Sequence, residues 1–297
     1  MIDIHADDLG LTAGITDGIL EAYLSGRLDS VSLVPNGFAF DYAVEKLKEF
    51  PELGVSVHLN FFEGRPLADV GKIPLLVDPK GYFNQSFESL WIASLFSNGR
   101  RVALQEQVKL EMGLQIDRVK QALNVESVRV DSHRHYHLIP FVFKCLLELV
   151  DSHRVKAVRI PFELFSLSES LAHSVRTLLS TNPIKHYLLN ALSRYSIPFL
   201  NARGIAYNRY FVGVLFTGNM TLSVVENAVS RFERTDSSIP PEVLFHPGAF
   251  GNNEREEIGH HLRGSEYYSS SDRTGELDVL TSRAFCEFVD DIRSDVQ

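Results

Sequence analysis

Hydrophobic and polar positions along the chain follow two periods. Short apolar runs bounded by glycine, proline or polar residues are typical of buried strands, whereas longer segments with apolar residues at every third or fourth position are typical of helices. The short runs predict seven strands, at Met1–His5, Val31–Val34, Val55–Leu59, Ser127–Asp131, Ala157–Ile160, Gly204–Tyr207 and Glu242–Phe245.

Helical periodicity fills most of the intervals between these strands. Thr12 is a predicted N-cap of the first helix, which Gly26 ends, and a second helix runs from Asp41 to Phe50. Further helices are predicted at Ser89–Phe96, Ala103–Leu123, Pro140–Val150, Leu167–Ser180, Ile184–Arg194, Leu222–Phe232 and Glu276–Ile292. Between Phe61 and Gln85 the pattern breaks into a loop punctuated by glycine and proline, and loops this long are typically functional or disordered.

The regular alternation of strands and helices predicts an α/β fold. It favours either a (β/α) barrel, complete or incomplete, or a doubly wound sheet. No repeat, low-complexity stretch or linker interrupts the pattern, so we expect one domain over residues 1–297. In both architectures the active site forms at the carboxyl ends of the strands.

Composition and charge exclude several classes of protein. The 297 residues are 44% hydrophobic and 23% charged, with a formal net charge of −9 and no basic block, so nucleic acid is not an expected partner. No apolar run approaches the roughly 20 residues of a transmembrane helix. The first eight residues predict a strand and a polar cluster in place of a signal peptide. Two distant cysteines outside any CxxC motif suit a reducing compartment, and the expected location is the cytoplasm.

Polar side chains are concentrated where the predicted strands end. The positions are Asp7 and Asp8 after the first strand, His58 on the third, His133, His135 and His137 after the fourth, Arg159 on the fifth and His246 after the last. Because the carboxyl ends of parallel strands lie at one edge of a sheet, we expect these groups to form one site.

The residue types at these positions are typical of a catalytic metal site. One carboxylate and two imidazoles are a common ligand set for a divalent ion with open positions. On an extended segment Asp131, His133, His135 and His137 would project to one side, and burying them requires partners. At most two of the three histidines are expected to be ligands, and the others to orient ligands or to contact substrate. Zn²⁺ suits nitrogen ligands, and Mg²⁺, Mn²⁺, Fe²⁺ and Co²⁺ stay open.

Hydrolysis at such a metal needs a base beside the attacking water and an acid beside the leaving group. Asp7 or Asp8 can act as the base, and His246 is the natural candidate for the acid. Arg159 can hold a carboxylate or stabilise the charge of an oxyanion. The residues alone leave these alternatives open.

Four motifs in this order resemble the YdjC-like family of carbohydrate deacetylases. They are Ala6-Asp7-Asp8-Leu9-Gly10-Leu11-Thr12, His58-Leu59, Asp131-Ser132-His133-Arg134-His135 and His246-Pro247-Gly248. The resemblance covers essentially the whole chain, and the stretch Glu63-Gly64-Arg65-Pro66-Leu67 is most similar to the hopanoid-associated branch. Leu9 stands where the family usually has Phe, and His5 where it often has Asn or Thr.

The resemblance implies a deformed or incomplete (β/α) TIM-like barrel that removes the acetyl group from an N-acetylated amino sugar of an oligosaccharide or a glycolipid. It implies that Asp8, His58 and His133 bind one divalent metal ion, Mg²⁺ or Zn²⁺. Asp7 would be the general base and His246 the acid that protonates the departing amine. A homodimer is compatible with the family. His5, His135 and His137 would contact substrate or support the ligands from behind.

Three other functions compete with this interpretation. A metal hydrolase of the same fold could act on another bond, such as a phosphodiester or a cyclic amide. A non-haem Fe(II) oxygenase also uses two histidines and a carboxylate, although the paired aspartates and the βα alternation argue against it. A sugar-binding protein without catalysis is the third, and the presence of both aspartates and His246 argues against it.

Overall fold

Seven parallel strands form one sheet at the centre of the computed structural model, which describes residues 2–96, 99–166, 168, 170–233, 239–251 and 253–294. The strands are β1 (Asp3–Leu9), β2 (Ser30–Leu33), β3 (Gly54–Leu59), β4 (Val128–Ser132), β5 (Val155–Val158), β6 (Phe211–Val212) and β7 (Glu242–Phe245). Their order across the sheet is β5-β4-β3-β2-β1-β7-β6. The predicted alternation of strands and helices is confirmed, and six of the seven predicted strands overlap strands of the sheet.

Helices pack on the outside of this sheet. They are α1 (Ala13–Ser25), α2 (Phe40–Leu47), α3 (Phe87–Leu95), α4 (Gly99–Leu123), α5 (Pro140–His153), α6 (Leu171–Leu178), α7 (Asn182–Arg203), α8 (Leu222–Val229), α9 (Glu254–Glu257), α10 (Ser265–Tyr268), α11 (Ser271–Thr281) and α12 (Arg283–Ser294), with 3-10 turns at His133–Leu138 and Gly259–His261. The predicted start of α6, Leu167, lies outside the described residues. Within the described ranges, no helix combines the length and the apolar character that crossing a bilayer requires.

The segment before β6 contacts both edges of the curled sheet. The Ala206 carbonyl accepts a hydrogen bond from Val158 N–H of β5 at 3.0 Å, while β6 pairs with β7 at the opposite edge. Between these two contacts, the Asn208 side chain bonds to the backbone N–H and the backbone carbonyl of Ile160, both at 2.8 Å. The prediction of an incomplete (β/α) TIM-like barrel is confirmed.

Two element predictions are wrong in detail. The strand predicted at Gly204–Tyr207 makes only an isolated bridge, because the Asn208 side chain takes the place of a backbone partner and pairing resumes at Phe211. The predicted helix Glu276–Ile292 is two helices. Ser282 leaves the helical conformation between them, and its hydroxyl accepts the N–H of Phe285 at the start of α12.

Side chains of β1 alternate between the outer helices and the barrel interior. Ile4 and Ala6 belong to the hydrophobic core, whereas Asp3 and His5 contact serines of the neighbouring strand β2 and Asp7 contacts Arg159 across the barrel. All seven residues of β1 are buried. The barrel interior is therefore polar, and this polar interior leads up to the site at the carboxyl ends of the strands.

Close packing of α1 against the turn after β7 generates a stability prediction. A Cβ atom at Gly18 would lie 2.4 Å from the Gly248 Cα, which no L-residue can accommodate without a shift of backbone. We expect Gly18→Ala to lower the free energy of unfolding by about 1–3 kcal/mol, the usual cost of overpacking. Urea denaturation measures this change.

Gly275→Ala is the matched control, because Gly275 is also inside a helix and a Cβ there meets nothing within 4 Å. This control should gain up to about 1 kcal/mol from helix propensity. Equal stability of the two variants would show that α1 and the turn are not in the contact described here.

Candidate metal centre

A bulge in β1 brings both aspartates to the site. Ala6 pairs with Val31 and Leu9 with Leu33, so β1 holds one residue more than β2 between these pairs. Asp8 absorbs the extra residue with a φ of +76°, a left-handed conformation that costs a non-glycine residue about 1 kcal/mol. In a regular strand two neighbours face opposite sides, and the bulge removes this restriction for Asp7 and Asp8.

His58 presents one ring nitrogen to this position. His58 and Asp131 are register partners on β3 and β4, and His58 Nδ1 lies 2.6 Å from Asp131 Oδ1. Because a carboxylate only accepts, the neutral imidazole carries its proton on Nδ1 and a lone pair on Nε2. This Nε2 is buried, has no hydrogen-bond partner among the described residues, and lies 3.6 Å from Asp8 Oδ1.

His133 is oriented by a chain of hydrogen bonds that runs from its ring through the Tyr268 hydroxyl to the Glu63 carboxylate. The Tyr268 hydroxyl lies 3.0 Å from Glu63 Oε1 and 3.1 Å from His133 Nε2. The hydroxyl donates to the Glu63 carboxylate, so its oxygen accepts from His133 Nε2–H. The neutral His133 ring then has its lone pair on Nδ1, which lies 3.0 Å from Asp8 Oδ1.

Three acceptor atoms therefore converge with no donor between them. The ligand atoms of Asp8, His58 and His133 lie within 4.8 Å of one another, and all three residues are buried. Two lone pairs facing a carboxylate repel each other unless a cation or a proton lies between them. The residues fit a divalent metal ion, with one oxygen and two nitrogens as ligands.

Protonation of His58 is the alternative to a metal at the same atom. Burial lowers the pKa of His58, but the nearby Asp7, Asp131 and Asp8 outweigh burial and raise this pKa to about 10. The carboxylates thus stabilise a positive charge at this position. A metal ion must displace the proton in order to reach Nε2.

Asp7 is held as an anion by Arg159. The two guanidinium nitrogens of Arg159 donate to the two oxygens of Asp7, each at 2.8 Å, in a bidentate pair. Burial raises the pKa of Asp7, but the charges of Arg159 and His58 outweigh it and hold this pKa well below its usual range. Arg159 is completely buried and also contacts Asp131 and Glu242, so it supports Asp7 from beneath the site.

Two further arginines extend this network, Arg129 towards the amino ends of the strands and Arg273 at the metal site itself. Arg129 contacts Asp3 and Glu242, and Arg273 donates to Asp8 Oδ2 at 2.8 Å. The linked groups comprise five carboxylates and three guanidinium groups, namely Asp3, Asp7, Asp8, Asp131 and Glu242 with Arg129, Arg159 and Arg273. With neutral histidines this network has a charge of −2, which one divalent cation balances.

His246 lies after β7. Its side chain is 15% exposed, which is more than for Asp7, Asp8, His58, His133 or Arg159. Its backbone N–H donates to Glu276 Oε2, and Arg273 donates to the carbonyls of Pro247 and Gly248. Burial lowers the pKa of His246 to about 4, although Asp8 and Asp7 oppose this. The imidazole is therefore neutral at pH 7.

The three remaining histidines differ in their contacts. His5 is buried, with its ring nitrogens 2.6 and 2.7 Å from the hydroxyls of Ser30 and Ser32 and Nε2 3.3 Å from Asp7. His137 is bound on one side by Ser132 and on the other by the Arg159 carbonyl. His135 is only partly buried, and its Nδ1 has no hydrogen-bond partner among the described residues.

The prediction that residues 131 to 137 are extended holds for Asp131 and Ser132, which end β4, and is wrong from His133 onwards. The segment His133–Leu138 is a 3-10 turn in which Arg134 and His135 have φ values of +54° and +57°. The turn forms because the Ser132 hydroxyl accepts His137 N–H at 2.9 Å and also contacts the His137 ring. His133 and His137 consequently face different partners, and only His133 lies beside Asp8.

Several groups of the site lie outside the four motifs quoted above. Arg273, Glu276 and Tyr268 come from α10 and α11, whose sequence is that of ordinary polar helices. The three-residue spacing of Arg273 and Glu276 is the one signal that they share a helix face. Glu63 lies in the predicted functional loop, next to Phe62, whose ring centroid is 6.3 Å from that of His133.

Comparisons with known proteins give a family and several relatives. A model of the family described as YdjC-like protein matches residues 1–291. A carbohydrate deacetylase of Brevibacillus brevis is 27% identical over 97% of this chain and 94% of its own length. A carbohydrate deacetylase of Mus musculus is 32% identical over 94% of this chain and 87% of its own length.

Two further proteins are similar over nearly the whole chain. A chitooligosaccharide deacetylase of Escherichia fergusonii is 24% identical over 95% of this chain and 91% of its own length. A crystal structure from Enterococcus faecalis, provisionally described as a cellobiose-phosphate cleavage protein, superposes with a TM-score of 0.69 at 19% identity, covering 98% of this chain and 94% of that one. At this identity the superposition supports the fold alone. The family match over residues 1–291 shows that the chain belongs to the YdjC-like family.

Proposed function

We propose that this protein is a metal-dependent hydrolase that removes the acetyl group from an N-acetylated amino sugar. The relatives named carbohydrate deacetylase and chitooligosaccharide deacetylase support the substrate class. The observation that carries the metal dependence is the convergence of His58 Nε2, His133 Nδ1 and Asp8 Oδ1 with no donor between them.

Asp8, His58 and His133 would hold one divalent ion, Mg²⁺ or Zn²⁺. Two nitrogen ligands favour Zn²⁺, and three protein ligands leave open positions for water and substrate. The chemistry that a divalent ion supplies at such a site is polarisation of the acetamide carbonyl and a lower pKa of bound water. Asp131 fixes the tautomer of His58, and Tyr268 that of His133.

Asp7 and His246 would handle the protons of the reaction. Attack of water on the acetamide carbon releases one proton, and cleavage of the C–N bond requires one at the amine. Asp7, held as an anion by Arg159, is the base. His246 is neutral at pH 7, because its pKa is about 4, and it donates to the amine only after it has received a proton. The proton released by the attacking water can supply it, so acetate and a free amine form in balance.

The loop from Phe61 to Gln85 would bound the sugar site. Phe62 lies beside His133, and Glu63 accepts the backbone N–H groups of Arg263 and Gly264 at 2.6 and 2.9 Å. The loop is thereby tied to the segment after β7 across the mouth of the barrel. Of His5, His135 and His137, only His135 is partly exposed, so it would be the one of these three to contact substrate.

The first prediction concerns the metal. Purified protein should release acetate from N-acetylglucosamine oligomers, lose this activity after treatment with a chelator, and regain it with Zn²⁺ or Mg²⁺. Half-maximal reactivation should need more metal as the pH falls, because the proton on His58, whose pKa is about 10 without metal, competes for Nε2. Full activity in protein shown to be metal-free by elemental analysis would exclude the mechanism.

The second prediction separates the two aspartates. Asp8→Asn should weaken metal binding, because a neutral amide replaces the charged ligand. Asp7→Asn should keep the metal and slow turnover by about 10²–10⁴-fold, the usual contribution of a positioned base. Metal content and acetate release are measured for both variants, which have side chains of matched size. Excess metal should partly rescue Asp8→Asn alone, and the reverse pattern would exchange the two roles.

The third prediction tests the hydrogen-bond chain behind His133. Tyr268→Phe removes the acceptor of His133 Nε2–H, so we expect metal affinity to fall by about 10–100-fold. Tyr136→Phe is the matched control, since Tyr136 is also buried and its hydroxyl contacts the Gln85 carbonyl and no ligand. Competition with a fluorescent chelator gives both affinities. If the two variants bind metal equally well, Tyr268 does not orient His133.

A further inference from the structure

The stretch of chain after β5 has a charge pattern unlike the rest of the sequence. Residues 170 to 225 contain no Asp or Glu, although the whole chain has 38 of them and a net charge of −9. The same stretch contains five basic residues, all exposed, at Arg176, Lys185, Arg194, Arg203 and Arg209. Arg176 and Arg209 lie within 4 Å of Asp272 and Glu233, whereas Lys185, Arg194 and Arg203 pair with no carboxylate among the described residues, so α7 leaves a positive surface on an acidic protein.

The helices α6 and α7 pack on each other as a hairpin, and its tip exposes apolar side chains from the short turn and from the adjoining ends of both helices. The relative exposure is 47% for Leu178, 84% for Leu179, 74% for Ile184 and 79% for Tyr187. Exposed Ala191, Tyr195 and Pro198 continue the same side of α7 at helical spacing. Turns between helices are usually polar, and contiguous apolar groups of this kind mark an interaction surface.

This hairpin surface lies at the end of the barrel that carries the metal centre. The helix α7 packs against the 3-10 turn that begins with His133. Arg176 of α6 lies 3.6 Å from Asp272, whose neighbour Arg273 donates to Asp8. Whatever covers the hairpin surface is therefore beside the mouth of the site.

We propose that the hairpin surface docks on a lipid bilayer that contains anionic lipids. Leucine, isoleucine and tyrosine at the tip, with lysine and arginine beside them, are the composition of segments that lie in the interfacial plane of a membrane. The exposed basic residues complement the negative charge of such a surface. A second copy of the chain, related by a twofold axis, would instead place this acid-free stretch against itself, and the basic side chains of the two copies would repel each other.

Docking has a consequence for the choice of substrate. It brings the mouth of the barrel to the level of the lipid headgroups, where an N-acetylated amino sugar attached to a lipid could enter it. This consequence rests on the proposed function, whereas docking itself does not. Membrane binding and acetate release from a soluble oligosaccharide can therefore fail separately.

Vesicle co-sedimentation tests the proposal directly. The full chain should bind phosphatidylcholine vesicles with 30% phosphatidylglycerol, bind pure phosphatidylcholine vesicles less tightly, and lose affinity as salt rises. Leu179→Ser with Ile184→Ser should weaken binding by at least about tenfold for each residue, through lost apolar burial. Lys185→Glu with Arg194→Glu should weaken binding to the anionic vesicles by about fivefold or more for each residue.

Two exposed residues near the amino ends of the strands provide matched controls. Leu24→Ser removes a leucine at the end of α1 that is 67% exposed, and Lys48→Glu inverts an exposed charge after α2. Both should keep wild-type affinity for vesicles, and circular dichroism checks that every variant is folded. Acetate release from a soluble oligosaccharide should be unchanged in all of them.

Two results would overturn the proposal. The first is that the folded wild-type chain does not bind anionic vesicles. This includes the case in which sedimentation shows a dimer that Tyr187→Ser dissociates, so that a second copy covers the surface. The second is binding that the hairpin variants and the controls reduce equally. If vesicle binding is lost only in the hairpin variants, docking holds even when no deacetylation is found.

Discussion

Charge compensation inside the barrel is the constraint on which the site depends. Arg159 is completely buried and contacts Asp7, Asp131 and Glu242, which come from three different strands. Breaking a buried ion pair by removing one partner costs about 3–5 kcal/mol, because the other charge stays unpaired. The contacts of Arg159 compensate the buried carboxylates, and the same contacts fix the direction of Asp7. Two negative charges remain for a cation at the top of the network.

Hydrogen-bond direction then decides which atoms face that cation. Asp131 and Glu63 can only accept, so they determine where the protons of His58 and, through Tyr268, of His133 must lie. Both imidazoles are left with a lone pair towards Asp8. The ligand set is thus a consequence of carboxylates behind the histidines, and these supporting carboxylates come from a strand and from a long loop.

The end of the barrel that carries the metal centre is assembled from distant parts of the sequence. The C-terminal helices contribute Arg273, Glu276 and Tyr268, which hold Asp8, His246 and His133 respectively. The helical hairpin of α6 and α7 borders the same end with an apolar, basic surface. A fold that gathers every strand end at one face lets late segments of the chain stabilise residues from early ones.

The sequence by itself determined the alternation of strands and helices, the fold class and six side chains that meet at the strand ends, because local periodicity and strand-end position depend only on neighbouring residues. Asp7, Asp8, His58, His133, Arg159 and His246 were all predicted in this way. Only the tertiary structure decided the bulge at Asp8, the 3-10 turn after Ser132 and the partners Asp131, Tyr268 and Arg273. The bulge and the three partners depend on strand register, hydrogen bonds or ion pairs between segments that become neighbours only when the barrel closes, and no local pattern encodes such a contact. The turn uses a local bond between Ser132 and His137, but the Arg159 carbonyl that holds the His137 ring comes from a different part of the sheet.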